Sequence, residues 1–269
     1  MPHHSYLFVP GDRPERFDKA VASGAHVTLI DLEDAVLPQR KAQARAALLA
    51  WLEDTPNRVM VRINAVGTPW YEDDCQVLAR PAVAGVMVPK AQHAGQLAAL
   101  ARSLRAGQML LPLVESVAGH FAAAQLAQVP GVTRLAFGSF DFMADAGIRG
   151  DAEELDPVRT NLVLVSRQAG IAAPLDGVTL ATDDLPQIER DVARSRRFGM
   201  GGKLCIHPRQ VAPVNAGFAP SPDEVGWAQR VVSALAQGGL GAVTVDGKLV
   251  DRPIELMART ILEEVQGGR

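Results

Sequence analysis

The sequence predicts a (β/α)8 barrel followed by a C-terminal appendage of helices and a small hairpin. Three observations lead there. Short apolar runs rich in β-branched residues alternate with longer amphipathic stretches, the pattern of parallel βα units. Eight such runs fall before residue 219, at the compact end of the size range for this barrel. Charged residues end successive runs, where a barrel gathers its chemistry at one mouth. An open doubly wound sheet is the alternative use of the same units.

The runs, in order, are YLFVP (Tyr6 to Pro10), HVTLIDLE (His26 to Glu33), RVMVRIN (Arg58 to Asn64), GVMVPK (Gly85 to Lys90), MLLPLVE (Met109 to Glu115), RLAFGSFD (Arg134 to Asp141), PLDGV (Pro174 to Val178) and GKLCIHP (Gly202 to Pro208). The seventh carries the weakest pattern. Between them, Leu97, Leu100, Ala101 and Leu104 follow helical spacing, as do Val158, Leu162 and Val165, and Leu185, Ile188 and Val192. After Pro208 the pattern changes. Ser221 is a candidate N-cap for a helix presenting Trp227, Val231 and Leu235, and AVTVDGKLVD reads as a hairpin turning at Asp246-Gly247. Ile254, Met257, Ala258, Ile261 and Val265 mark a last helix. The expected division is a catalytic barrel over 1–219 and an appendage or lid over 220–269 that packs on a neighbouring subunit.

Composition narrows the function classes. The chain has 269 residues, 48% of them hydrophobic, which is ample for a packed core. Its formal charge of −3 comes from intermixed acidic and basic residues, so neither a nucleic-acid stripe nor a polybasic membrane anchor is expected. Two cysteines, Cys75 and Cys205, form no CxxC motif and suggest no disulfide framework, which fits a cytoplasmic protein. The first residues lack the pattern of a signal peptide, and no apolar run approaches the roughly 20 residues of a membrane span.

The charged run ends are the candidate site. Glu33 and Asp34 end the second run, Arg62 lies near the end of the third, and Lys90, Glu115 and Asp141 end the next three. Two carboxylates facing each other from neighbouring strands repel unless one binds a proton or a cation sits between them. Glu115 and Asp141 therefore suggest Mg2+, which keeps several waters and needs few protein oxygens. Zinc is disfavoured because the six histidines show no ligand spacing. The alternative is structural, with Glu115 capping a helix and Asp141 paired to an arginine. Arg62, inside an apolar run, needs a planar oxyanion: a substrate carboxylate, or a salt bridge to Glu33 or Asp34. Lys90 and Glu33 read as a supporting pair. PGDRPERFDKA places Arg13, Arg16 and Lys19 around a helix start, where they suit either a phosphorylated cofactor or a solvated basic turn. FGMGGK lacks the phosphate-loop pattern and reads as a tight connection into a strand.

SYLFVPGDRPERFDKA, LIDLEDAVLPQRKAQAR, VRINAVGTPWYEDD, VPKAQ, LVESVAG, FGSFDF and GKLCIHPRQV, in this order, resemble the citrate lyase β-subunit family of the HpcH/HpaI aldolase superfamily. The resemblance implies a Mg2+-dependent barrel lyase that makes or breaks carbon–carbon bonds in 3-hydroxy-acid thioesters of the citryl, malyl or citramalyl kind. It implies Glu115 and Asp141 as metal ligands, Glu115 and Arg62 at the substrate, and Arg62 as the ligand of the oxo-acid carboxylate. It further implies a homo-oligomer, a trimer or dimer of trimers, in which Asp251 of GKLVDRP acts in trans as the acid–base group. The sequence-only alternative for Asp251 is an N-cap of the last helix, although nothing in the sequence makes that cap necessary. Two departures stand out: His4 where the family commonly has arginine, and Ser116 where threonine is usual. A class II aldolase acting on free hydroxy-oxo acids is the first rival, but it would carry a histidine base where this chain has Asp34. A catalytically silent accessory subunit is the second.

Overall fold

The computed structural model describes residues 3–238 and 243–267. Two compact units emerge, His3–Asn215 and the residues from Ala216 onward. In the first, eight parallel strands close into a barrel: β1 (Ser5–Pro10), β2 (Val27–Asp31), β3 (Val59–Arg62), β4 (Val83–Val88), β5 (Met109–Val114), β6 (Arg134–Phe137), β7 (Ala172–Asp176) and β8 (Gly202–Cys205). Each pairs with its successor, and β8 returns to β1 through Tyr6 beside Leu204. The closed ring leaves no edge strand, and this decides against the open doubly wound sheet. The helices are α1 (Phe17–Val21), α2 (Lys41–Asp54), α3 (Tyr71–Val77), α4 (Ala94–Ala101), α5 (Val117–Ala127), α6 (Ser139–Ala146), α7 (Asp156–Ala169), α8 (Leu185–Arg197) and, running across the division, α9 (Val211–Phe218).

The inside of the barrel is a packed core. Tyr6, Leu29, Met60, Met87, Leu111, Leu113, Leu175 and Leu204 form one buried cluster from alternating strand positions. Each such side chain contributes about 1.5–3 kcal/mol by leaving water. The buried charges of Arg159 and Asp176 pair with each other. Arg159 Nε donates to Asp176 Oδ1 at 2.9 Å, and Ser195 Oγ donates to Asp176 Oδ2. Burial pushes the Asp176 carboxyl up, but Lys203 and Arg159 outweigh it and hold the group below its ordinary value.

Two strand expectations need correction. The sixth strand stops at Phe137, and Gly138 opens α6, so Asp141 stands in the first turn of a helix rather than at a strand end. The apolar periodicity of FGSFDF is shared by a buried strand and by a helix with one apolar face, and the glycine ends the strand. The seventh strand starts earlier than the expected run, at Ala172, and ends at Asp176. FGMGGK is the connection between α8 and β8, as its glycines suggest.

The second unit contains α10 (Pro222–Gly238), the hairpin β9 (Val243–Val245) and β10 (Lys248–Val250), and α11 (Arg252–Gly267). Ser221 caps α10, its Oγ accepting from Glu224 N at 3.2 Å while Glu224 Oε2 accepts from Ser221 N at 2.7 Å. The hairpin turns at Asp246 (φ 52°) and Gly247 (φ 74°), the two positive values that a tight primed turn requires. Ala228, Val231, Val245, Val250 and Ala258 form its own buried cluster. Among the described residues no helix is long and apolar enough to cross a membrane.

Candidate active site

The C-terminal ends of the strands surround a cavity of about 270 Å³, lined by Phe8, Arg62, Leu113, Glu115, Phe137, Gly138, Asp141, Val178 and Leu204 among others. β2 and β3 pair so that their last residues, Asp31 and Arg62, are neighbours. Arg62 Nε donates to Asp31 Oδ1 at 2.7 Å and Nη2 to Oδ2 at 2.6 Å, a bidentate fork. Its Nη1 lies 3.1 Å from Glu33 Oε2 and 3.8 Å from Asp34 Oδ2, and its carbon sits 4.6 Å from the centre of the Phe8 ring. Burial favours the neutral guanidine, but Asp31, Glu33 and Asp34 outweigh it and hold Arg62 charged. The expected salt bridges to Glu33 and Asp34 thus exist, yet the principal partner is Asp31, a residue missed in the sequence. Asp31 also accepts from the amides of Glu33 (2.9 Å) and Ala35 (3.1 Å), so one carboxylate organises both the arginine and the loop after β2.

Glu115 follows β5 directly and is 3% exposed. Its Oε1 accepts from the Lys90 amide at 2.6 Å, and Lys90 Nζ donates to Glu33 Oε1 at 2.6 Å, which makes the supporting pair expected for Lys90 and Glu33. A Cβ on Gly138 would lie 2.6 Å from Glu115 Cβ and 2.8 Å from Oε2, so only glycine fits against this carboxylate. Burial, then the charges of Glu33 and Asp141, pushes Glu115 up to about 8, although the Lys90 amide and Arg62 act against the rise. Glu33 is likewise raised, first by burial, with Arg62 and Lys90 opposing. Asp141 is exposed to the cavity and, among the described residues, has no hydrogen bond or ion pair of its own. Ionised together on one wall, Glu115 and Asp141 repel each other, and this hard oxygen donor pair fits a divalent cation that would relieve the repulsion. Among the described residues no cluster of three or more His, Cys, Asp or Glu is arranged for a metal, so the fit rests on this pair.

The remaining expected residues lie elsewhere. Arg16 and Lys19 line a second cavity of about 380 Å³ that shares Phe8, Pro10 and Ile206 with the first. Arg13 does not line it, and stands half exposed 4.0 Å from Asp12. Asp251 lies in the second unit and caps α11, the alternative the sequence left open for it: its Oδ1 accepts from Ile254 N at 3.2 Å and its carbonyl from Glu255 N at 2.9 Å. The helix starts at Arg252, and its first amides would otherwise lack acceptors. His4 precedes β1, at the end of the barrel away from the cavity, where its Nδ1 meets Gly201 O at 2.8 Å. That departure from the family pattern leaves the mouth unaltered. Ser116 caps α5, accepting from Gly119 N at 3.1 Å.

Comparison with known proteins places this geometry. A citrate lyase subunit beta-like protein from Deinococcus radiodurans is 35% identical, covering 96% of this chain and 95% of its own. A (3S)-malyl-CoA thioesterase from Cereibacter sphaeroides is 32% identical over 98% of this chain and 95% of its own. The crystal structure of CitE from Mycobacterium tuberculosis, in complex with magnesium, acetoacetate and coenzyme A, superposes with a TM-score of 0.86 at 33% identity, covering 98% of both chains. Residues 4–208, nearly the whole barrel unit, match the HpcH/HpaI aldolase/citrate lyase family, and the chain belongs to it.

Proposed function

We propose that this chain is a Mg2+-dependent carbon–carbon lyase that cleaves 3-hydroxy-acid coenzyme A thioesters of the citryl, malyl or citramalyl class. The observation that carries the reading is one cavity holding an anchored arginine beside the Glu115 and Asp141 carboxylates, neither of them in an ion pair among the described residues. The magnesium, acetoacetate and coenzyme A bound to the CitE relative supply the ligand chemistry. Glu115 and Asp141 would hold the ion, which when bound supplies Lewis-acid polarisation of the oxo-acid carbonyl.

The chain's own residues do the rest. Arg62, fixed by Asp31 along one edge, offers its remaining N–H groups to the α-carboxylate of the substrate and balances that charge. Phe8, Leu113, Phe137, Val178 and Leu204 keep the reacting carbons out of bulk water. A base takes the proton of the 3-hydroxyl, the C2–C3 bond breaks, and its electron pair passes to C2 as the enolate of the thioester. Protonation of that carbon gives the acyl thioester and frees the oxo acid. Asp251, exposed at the head of α11, is our assignment for this proton transfer, acting on a neighbouring copy within a homo-oligomer; the Asp-x-Pro motif of the family supports it. Arg16 and Lys19, on the adjoining cavity, suit the phosphates of the carrier.

The thioesterase relative supports a second reading, hydrolysis of the thioester itself. Product analysis separates the two. Purified protein with Mg2+ and citryl-, malyl- and citramalyl-CoA should release an oxo acid and acetyl-CoA. Release of the intact hydroxy acid with free coenzyme A would establish hydrolysis, and no turnover of any thioester would overturn the lyase reading.

A further inference from the structure

Among the described residues only two non-glycine positions have positive φ. Asp246 is one, and the hairpin turn explains it. The other is Lys90, at φ 50° in the loop after β4. A Cβ crowds the backbone in this region, which is why glycine or asparagine usually occupies it. A lysine there must be held, and packing does not hold it, because its side chain is 47% exposed.

Polar contacts hold it at both ends. The Lys90 amide donates to Glu115 Oε1 at 2.6 Å, and the ammonium donates to Glu33 Oε1 at 2.6 Å. Glu33 is itself immobile: buried, its amide bonded to Asp31 Oδ1 at 2.9 Å and its carbonyl to Lys41 Nζ at 2.8 Å. Across the Glu115 carboxylate, Gly138 leaves no room for a Cβ. The Glu115 side chain is thus confined between a backbone donor on Oε1 and a backbone wall beside Oε2.

Resting on the Mg2+ reading above, we propose that Lys90 is the positioning residue of Glu115: its left-handed backbone aims the amide at Oε1, and its ammonium, anchored on Glu33, keeps the backbone in that conformation. Oε2 is then left for the ion. Position 90 acts through its peptide, and the side chain acts only by holding that peptide.

The test is a Mg2+ titration by calorimetry on the full-length protein and its Lys90→Gly, Lys90→Ala and Lys90→Arg variants. Glycine adopts the left-handed region freely and keeps the amide, so K90G should bind Mg2+ within about threefold of wild type, whereas K90A should weaken binding about tenfold or more, the range for outer-shell partners of metals. K90R, which can still reach Glu33, should match wild type. A side chain that acted only as a nearby cation would predict the opposite: K90A and K90G would behave alike, both binding the ion more tightly. Equal affinities for K90A and K90G would overturn the inference while leaving the metal reading intact. Absence of Mg2+ uptake by wild type would overturn the metal reading and the inference with it. Lys90→Asn against Lys90→Ser gives the same contrast should the first pair fold poorly.

Discussion

Among single residues, Arg62 shows how a buried charge is made useful. Desolvation of a guanidinium costs several kcal/mol, roughly, and Asp31 offsets it through two hydrogen bonds of 2.7 and 2.6 Å. The same fork fixes the plane of the group, so its other edge, which carries Nη1 beside Glu33, is presented in one orientation. An ammonium satisfies neither demand. Arg62→Lys should therefore lower kcat/KM about a hundredfold with every thioester, the scale of losing one preorganised donor. Steady-state kinetics across the substrate panel checks this, and unchanged constants would make Arg62 structural only. That Arg62 needs an anion was legible in VMVRIN, because a guanidinium in an apolar strand must be paired. Its partner was not, because the contact with Asp31 depends on the register between two strands, which local sequence does not encode.

Among the elements, the strands deliver the site at their C-terminal ends. Arg62 is the last residue of β3, Glu115 comes one position after β5, and Lys90 two after β4. These positions were readable because apolar runs ending in charge are a strong signal in barrels. Asp141 was readable as a site residue but not as part of α6, since the switch from strand to helix depends on the single Gly138. That glycine yields a prediction. A methyl group there would lie 2.6 Å from Glu115 Cβ and 2.8 Å from Oε2. Gly138→Ala should cost about 1–3 kcal/mol by overpacking and displace the carboxylate. Chemical denaturation together with Mg2+ calorimetry checks both effects; a variant with wild-type stability and affinity would show that Glu115 can yield without loss.

At the scale of the whole barrel, the end opposite the mouth gathers His3, His4 and His26, with Arg134 donating to the His3 carbonyl. All three imidazoles are held below their ordinary value of 6.5, first by burial and then by neighbouring positive charge. His26 Nδ1 accepts from the His4 amide at 3.0 Å, a bond that requires an unprotonated nitrogen. A depressed pKa means the unfolded chain binds more protons below pH 6.5, so this stabilisation is present above 6.5 and lost as pH falls toward the lowered folded values. Thermal melts should fall from pH 7 to pH 5 in wild type and less steeply in His26→Gln. Equal slopes would show that the cluster contributes nothing to the pH dependence of stability.

In the second unit, Asp251 caps α11 and is our proposed group for proton transfer between copies. Asp251→Asn and Glu115→Gln chains, each inactive alone, should regain partial activity when co-assembled, because some sites then combine an intact metal centre with an intact aspartate. No recovery in verified mixed oligomers would end the proposal of catalysis in trans.

The proposed lyase chemistry would require Glu115 and Asp141 together to hold Mg2+, and calorimetric titration of the ion into wild type, Glu115→Gln and Asp141→Asn tests that requirement without intermediaries. Wild type should take up a single ion per chain, and both variants should lose it. In EDTA, Glu115→Gln should melt no lower than wild type at pH 8 and above, because the amide removes a buried carboxylate whose charge is opposed by burial, Glu33 and Asp141. Wild-type Mg2+ affinity in either variant would refute the shared metal site.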